Sequence, residues 1–375
     1  MPELVALDLP AGDPFVAALC DAWDGGHAVL PIDPRLPKPA VARLVEAMAP
    51  TVVVDAGGRH RRPSGRPTEP GDALVVPTSA TTGEPKGVVL THQAVRASAL
   101  ATSAGLGVDA GSDRWLACLP LAHIGGLSVV TRSLVTGTPC TVVDRCEPAE
   151  IEQQARSGAT LVSLVATVLR RTDTSGFRRV LVGGAAPPEE LPPRVVTTYG
   201  MTETGSGVVY DGRPLGGVEV RIGDAVVGAA GEVLVRGPML LRAYRDNSDP
   251  TLPGGWLPTG DGGRLEADGT LRVFGRVAEV IVTGGEKVWP SAVEEVLVGH
   301  PGIGQVAVWK RPDPEWGERV VAWVVPDDRS APPPLGELRE LVASRLSPWA
   351  APRQLVVVAT LPRTDSGKVI RTALT

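Results

Sequence analysis

Thr78-Ser79-Ala80-Thr81-Thr82-Gly83-Glu84-Pro85-Lys86-Gly87 puts four hydroxyls, a flexible glycine and a lysine between two apolar runs, 73–76 and 88–90. Such a loop can turn several backbone and side-chain donors toward one polyanion, which is how phosphate-holding loops work. Gly83 can take backbone angles closed to other residues, and Lys86 supplies a positive charge. The Walker A spacing G-x-x-x-x-G-K-[ST] is absent, so this is not a P-loop. A solvated Ser/Thr turn is the plain alternative. Other apolar runs also end in polar or glycine-rich stretches that could do chemistry. They are Pro120-Leu-Ala-His123-Ile-Gly-Gly, Gly183-Gly184-Ala185, Tyr199-Gly200-Met-Thr202-Glu203, Thr259-Gly-Asp261 and the tail ending Asp365-Ser-Gly-Lys368.

These stretches need elements to hold them. Spacing of apolar residues predicts helices over 14–23, 40–48, 92–104, 127–135, 147–156, 290–298 and 335–346. It predicts strands over 28–32, 51–54, 73–76, 88–90, 114–119, 140–143, 160–165, 179–182 and 195–198. Strand, helix and strand with short joins imply a parallel α/β sheet, and ligands of such sheets sit at the carboxyl ends of the strands. Residues 57–71, rich in Arg, Pro and Gly, read as an exposed loop. After residue 216 short strands over 218–222, 225–227, 232–236 and 270–274 suggest a small antiparallel barrel or meander. From residue 275 strands over 279–283, 305–309, 320–325 and 354–358, with two helices, make a small α/β domain. The fold class is therefore α/β: a large N-terminal domain of stacked sheets with a small β-barrel-like subdomain, then a small C-terminal domain. The boundary falls between residues 277 and 278.

Composition limits the partners. The chain has 375 residues and a formal charge of -5, which gives no reason to expect nucleic acid or an anionic membrane. No apolar run approaches the roughly 20 residues of a membrane span. The early residues Glu3, Asp8 and Asp13 are unlike a secretory signal, so a cytoplasmic location is expected. Cys20, Cys118, Cys140 and Cys146 form no C-x-x-C pair and read as buried thiols.

Taken in order, the motifs resemble the adenylate-forming superfamily of acyl-CoA synthetases, luciferases and peptide-synthetase adenylation domains. The resemblance runs from about residue 71 to the C-terminus. It rests on the opening loop, Tyr199-Gly-Met-Thr-Glu, Gly231-Glu-Val-Leu-Val-Arg-Gly-Pro, Thr259-Gly-Asp, Gly275-Arg and the terminal Gly-Lys. It implies an AMP-forming ligase that joins a carboxylic acid to a thiol through an acyl-adenylate, with ATP and CoA as co-substrates and Mg²⁺ as cofactor. On that reading Thr78, Ser79, Thr81, Thr82, Gly83 and Lys86 hold the β- and γ-phosphates. Glu203 binds Mg²⁺ and Thr202 meets the α-phosphate. Gly183, Gly184 and Ala185 line one adenine face, and Tyr199 lies on the other beside Gly200. Asp261 and Arg276 reach the ribose. Lys368 bridges carboxylate, α-phosphate and ribose in the first half-reaction. The small domain then rotates, bringing Gly284-Gly285 to the thiol tunnel. Ala80 stands where the family has glycine, and Ala278 where its hinge has Asp or Lys.

The residues 199–218 and 28–36 look like the compact actinobacterial-type o-succinylbenzoate–CoA ligases of menaquinone synthesis. The family comparison also implies that about one subdomain of the usual N-terminal region is missing. In that family an arginine nine residues beyond the histidine of P-L-x-H pairs with the aromatic carboxylate. Here this is Arg132, with His123 lining the acyl pocket and Ser163 as its matching serine. A buried Arg132 on an otherwise apolar helix face needs an anion, which a dicarboxylate supplies. An Arg132 on the solvent face would need none. Another aryl- or acyl-CoA ligase and a carrier-loading adenylation enzyme stay open as alternatives. The expected partners are the small molecules o-succinylbenzoate, ATP and CoA, and homodimerisation is left open.

Overall fold

The computed structural model describes residues 1–78, 85–184, 191–223, 230–363 and 369–374. Two seven-stranded sheets dominate the first part of the chain. In the first, Leu4–Leu7, Ala28–Pro31 and Val52–Asp55 run parallel. Asp72–Thr78 joins Ala28–Pro31 in parallel and turns back as the antiparallel strand Lys86–Thr91. The short strand Ala243–Tyr244 closes that edge. The basic stretch expected as a loop contributes Gly58–Arg61, an edge strand pairing with Val52–Asp55. All four of its residues are exposed, so it has no apolar face to announce it.

In the second sheet, Cys140–Val142, Trp115–Ala117, Leu161–Val165, Arg179–Gly183 and Val195–Met201 lie parallel in that order. Ser206–Tyr210 then returns antiparallel to the last of them. Tyr199-Gly200-Met201 is thus strand rather than loop. Gly200 is required there, because a Cβ would lie 2.2 Å from the Ser206 carbonyl oxygen.

Helices pack on both seven-stranded sheets. Leu44, Val45 and Met48 of the helix Lys38–Met48 pack on Leu4, Leu30 and Val75. Ile151 of Pro148–Arg156 packs on Leu116, Val162 and Val180. A buried guanidinium anchors the end of the first of these helices. Arg245, 7% exposed, donates from Nε to Met48 O at 3.1 Å and from Nη1 to Pro67 O at 2.9 Å. Gly87 belongs to the same packing, since a Cβ would lie 2.5 Å from Met48 Sδ and 2.9 Å from Arg245 Cβ.

The expected meander after residue 216 is a four-stranded sheet in chain order: Glu219–Ile222, Gly231–Arg236, Leu257–Leu265 and Leu271–Arg276. The strand expected over 225–227 lies outside the described residues. The last sheet holds the hairpin Ile303–Asp313/Gly317–Pro326, with Gln354–Val357 parallel to its second arm. Helices Pro290–Val298 and Leu335–Arg345 cover it through Val293, Leu297, Leu338 and Val342.

The chain divides into two compact units. One is Met1–Arg221 with Leu234–Pro258 and Asp268–Leu271. The other is Arg272–Thr375 with Ile222–Val233 and Thr259–Ala267. No helix among the described residues is long and apolar enough to cross a membrane.

Candidate active site

In the larger unit, the arms of the 72–78/86–91 hairpin hold the two ends of the hydroxyl-rich loop. Thr78 and Lys86 are cross-strand partners, and Thr78 Oγ1 donates to Lys86 O at 3.4 Å. Lys86 is exposed, with its Nζ 4.9 Å from the centre of the Tyr244 ring. The Tyr244 hydroxyl donates to Glu203 Oε1 at 3.0 Å. Burial first, and then the Glu203 carboxylate, raise the Tyr244 pKa from its ordinary value, so the hydroxyl keeps its proton and remains a donor. Lys86, Tyr244 and Glu203 therefore form one connected group. Lys86 and Glu203 stand in motifs legible in the sequence; Tyr244 does not, since its neighbours Leu241-Arg-Ala carry no chemical motif.

Glu203 sits in the 3-10 turn Thr202–Thr204 that follows Val195–Met201. Met201 N–H donates to Thr204 Oγ1 at 2.9 Å, and Leu241 N–H to Glu203 O at 2.8 Å. The turn is thus pinned on both sides while the carboxylate is left half-buried. Gly183 and Gly184 end their strand, and Gly184 takes φ 84°. Tyr199 lies across from Val209 in the next ladder. Ser79, Thr81, Thr82, Gly83, Ala185 and Lys368, together with Ala80, lie outside the described residues.

In the same unit, Arg132 projects from the helix Ile124–Thr136 into the interior and is 1% exposed. Its guanidinium lies 4.8 Å from the Trp115 ring centre, and Nη2 reaches Ser206 Oγ at 3.4 Å. Among the described residues Nε and Nη1 have no hydrogen-bond partner, and no carboxylate pairs with the guanidinium. Burial lowers the pKa of Arg132, opposed by Tyr210 and Cys140. An arginine nonetheless stays charged at neutral pH. Ser206 holds φ 151°, a strained setting of the sort found where a fold commits a residue to a task. Trp115 pairs with Leu161, and Ser163 follows two residues on. Alternation along the strand puts Ser163 on the sheet face that carries Trp115. Arg132 and Ser163 are therefore brought to one side of the sheet.

His123 stands at the N-terminus of the Arg132 helix and is exposed. Its Nε2 lies 3.7 Å from Asp33 Oδ2, whose carboxylate is already held by Arg35 at 2.6 and 2.8 Å. That arrangement makes His123 a surface partner of Asp33, with no further polar contact to fix a role.

In the smaller unit, Asp261 and Arg276 form a pair. Arg276 Nε lies 3.2 Å from Asp261 Oδ1, and Nη1 donates to Thr259 O at 3.0 Å. Asp261 is buried and the Arg276 side chain 55% exposed. Gly284 and Gly285 make the turn between Ile281–Thr283 and Glu286–Val288, both with positive φ. A Cβ on Gly284 would lie 2.6 Å from the Trp316 ring, so this turn is tight against an indole. Ala278 lies in the 3-10 turn Val277–Glu279. Arg363 and Val369 pair across the stretch that contains Lys368.

Residues 55–245 match the family model described as AMP-binding enzyme, and residues 292–368 that of the AMP-binding enzyme C-terminal domain. A "Probable 2-succinylbenzoate–CoA ligase" from Mycobacterium tuberculosis is 41% identical over 327 residues, 80% of this chain and 83% of that protein. The chain belongs to the AMP-binding enzyme family.

Within this family, o-succinylbenzoate CoA synthetase from Bacillus subtilis, solved with its acyl-adenylate intermediate, superposes with a TM-score of 0.85 at 27% identity. The match covers 100% of this chain and 88% of that one. The same synthetase solved with ATP and a magnesium ion gives 0.84 at 27% identity, covering 99% and 89%. The fold is that of the adenylate-forming enzymes, with a large N-terminal and a small C-terminal domain. Among the described residues no three His, Cys, Asp or Glu side chains gather as a metal group. Glu203 uses only Oε1 toward Tyr244. A carboxylate oxygen is the kind of hard ligand that Mg²⁺ takes, one or two at a time, while keeping several of its waters.

Proposed function

We propose that this AMP-binding enzyme is an ATP-dependent o-succinylbenzoate–CoA ligase of menaquinone synthesis, acting in the cytoplasm. The observation that carries the substrate assignment is the fully buried Arg132, with two guanidinium nitrogens unpartnered. Leaving a buried charge without an anion costs several kcal/mol, and a second carboxylate on the acid would remove that cost. Ser163, on the same face, would add a hydroxyl beside it.

In the first half-reaction the other carboxylate of the acid attacks the α-phosphorus of ATP, and pyrophosphate leaves. In the second the CoA thiol attacks the acyl carbonyl, and AMP leaves. Charge builds on the phosphoryl oxygens in the first step and must be met by fixed donors. Lys86 and the loop hydroxyls Thr78, Ser79, Thr81 and Thr82 would hold the outgoing pyrophosphate, with Gly83 shaping the loop. Glu203 would hold Mg²⁺, which supplies charge to the phosphates, and Tyr244 would fix the carboxylate that holds it. Thr202 would meet the α-phosphate. Gly183, Gly184, Ala185, Tyr199 and Gly200 would frame the adenine, and Asp261 with Arg276 the ribose. Lys368 would bridge the reacting groups, and residues 278–375 would act as a mobile domain that later presents Gly284 and Gly285 to CoA.

Pyrophosphate release with o-succinylbenzoate, benzoate and fatty acids tests the assignment. The dicarboxylate should give a kcat/KM higher by about 100-fold, the equivalent of one well-placed buried charge partner. Equal or better turnover of monocarboxylates would overturn it. Arg132 would then be a structural arginine stacked on Trp115, and the acid a simpler aryl or acyl one.

A further inference from the structure

Cys118 and Cys146 are 28 residues apart in sequence, and their sulfurs meet at 3.4 Å. Cys118 follows the strand Trp115–Ala117 and is 3% exposed, inside the core built on Leu116, Ile151 and Val162. Cys146 is half-buried at the edge of that core, two residues before the helix Pro148–Arg156. Its neighbours Asp144, Arg145 and Glu147 are all exposed. Cys146 is therefore the more exposed of the two, and Cys118 lies deeper in the core. The remaining thiols differ. Cys140 donates to the carbonyl of the adjacent Thr141 at 3.7 Å, and neither it nor Cys20 has a second sulfur in contact.

We propose that Cys118 and Cys146 form a dithiol oxidised by hydroperoxides, with Cys146 the sulfur oxidised first and Cys118 the resolving sulfur. Oxidation begins when the Cys146 thiolate attacks the peroxide O–O bond, giving a sulfenic acid and releasing water or an alcohol. The Cys118 sulfur then attacks that sulfur, and its thiol proton passes to the displaced hydroxyl. Water leaves and the disulfide forms, so one two-electron oxidant consumes two thiols. Geometry sets the order, because Cys146 is half-buried at the edge of the core and Cys118 is 3% exposed within it. A hydrogen bond donated by Cys118 favours the Cys146 thiolate and lowers its pKa, whereas donating that bond, and burial, raise that of Cys118. Low pKa with partial exposure is the setting of reactive cysteines. The sulfurs must approach from contact to bonding distance, about 2 Å, and Cys146 lies in a loop whose neighbours are in solvent.

The full-length protein treated with a few equivalents of hydrogen peroxide, then denatured and alkylated, gives the test. Two of the four thiols should be lost, with a Cys118–Cys146 cross-linked peptide on digestion and both thiols recovered by dithiothreitol. Cys118→Ser should instead leave a sulfenic acid at Cys146 that dimedone traps, and Cys146→Ser should leave Cys118 unreacted. Full alkylation of all four thiols after peroxide, or a cross-link through Cys20 or Cys140, would overturn the proposal. Circular dichroism of each variant separates loss of reactivity from loss of fold, and dimedone labelling of Cys118 in folded Cys146→Ser would reverse the assigned order.

Discussion

Two buried arginines of the larger unit are treated in opposite ways. Arg245 gives its guanidinium to backbone carbonyls, among them Met48 O and Pro67 O. It ties the end of one helix to the chain that follows. Arg132 is buried more completely, at 1% against 7% exposure, yet has one weak bond to Ser206 Oγ and two nitrogens with none. Where the fold needs a guanidinium for structure it surrounds it with acceptors. Around Arg132 it provides a Trp ring, a hydroxyl and a thiol instead. The difference points to an acceptor that arrives with the substrate.

The largest effect that could break this contrast is kinetic. Arg132→Ala should lower kcat/KM for o-succinylbenzoate by about 100- to 1,000-fold, the cost of leaving a buried carboxylate unpaired. Benzoate turnover should change little. Next comes stability. Arg245→Met strips several carbonyls of their donor and should cost about 3 kcal/mol or more in urea unfolding. Arg132→Met removes a poorly satisfied charge and should cost less than about 1 kcal/mol, or stabilise. Equal losses at the two sites would erase the distinction. A third prediction concerns the smaller unit, where the arginine already has its acid. Asp261→Asn weakens a charged pair with Arg276 and, on the proposed ribose role, should raise KM for ATP by about 10-fold, leaving KM for the acid unchanged. The smallest effect is expected for Tyr244→Phe, which removes one hydrogen bond to Glu203 worth about 1 kcal/mol. It should raise the Mg²⁺ concentration needed for half-maximal pyrophosphate release by about 5-fold, with acid affinity unaltered.

The sequence made Arg132 visible because its helix is otherwise apolar, and burial follows from that pattern. It could not show the missing acceptors, since Trp115 comes from one strand and Ser206 and Tyr210 from another about 90 residues later in the chain. Regular elements with apolar runs, such as Asp72–Thr78 and Pro290–Val298, were legible almost to their ends. Elements without them were not. Gly58–Arg61 is wholly exposed, and Leu257–Leu265 carries Pro258, Gly260, Gly262 and Gly263, which read as turn. Ser206–Tyr210 was hidden by the glycines flanking it, although Val208, Val209 and Tyr210 are buried. Tyr244 was missed because its signal is purely tertiary: an isolated tyrosine whose ring meets Lys86 and whose hydroxyl meets Glu203. The Cys118–Cys146 contact was unreadable for a similar reason. The four cysteines read as separate buried thiols until the strand and the helix that carry two of them are packed on one core.

The central claim is that Arg132 awaits a second carboxylate. A crystal structure of the protein with o-succinylbenzoyl-adenylate bound tests it most directly. The claim predicts the free carboxylate of the ligand within about 3 Å of Arg132 Nε or Nη1, the distance of a charge-assisted hydrogen bond. A carboxylate held elsewhere, with Arg132 still stacked on Trp115 and both nitrogens unpartnered, would contradict it.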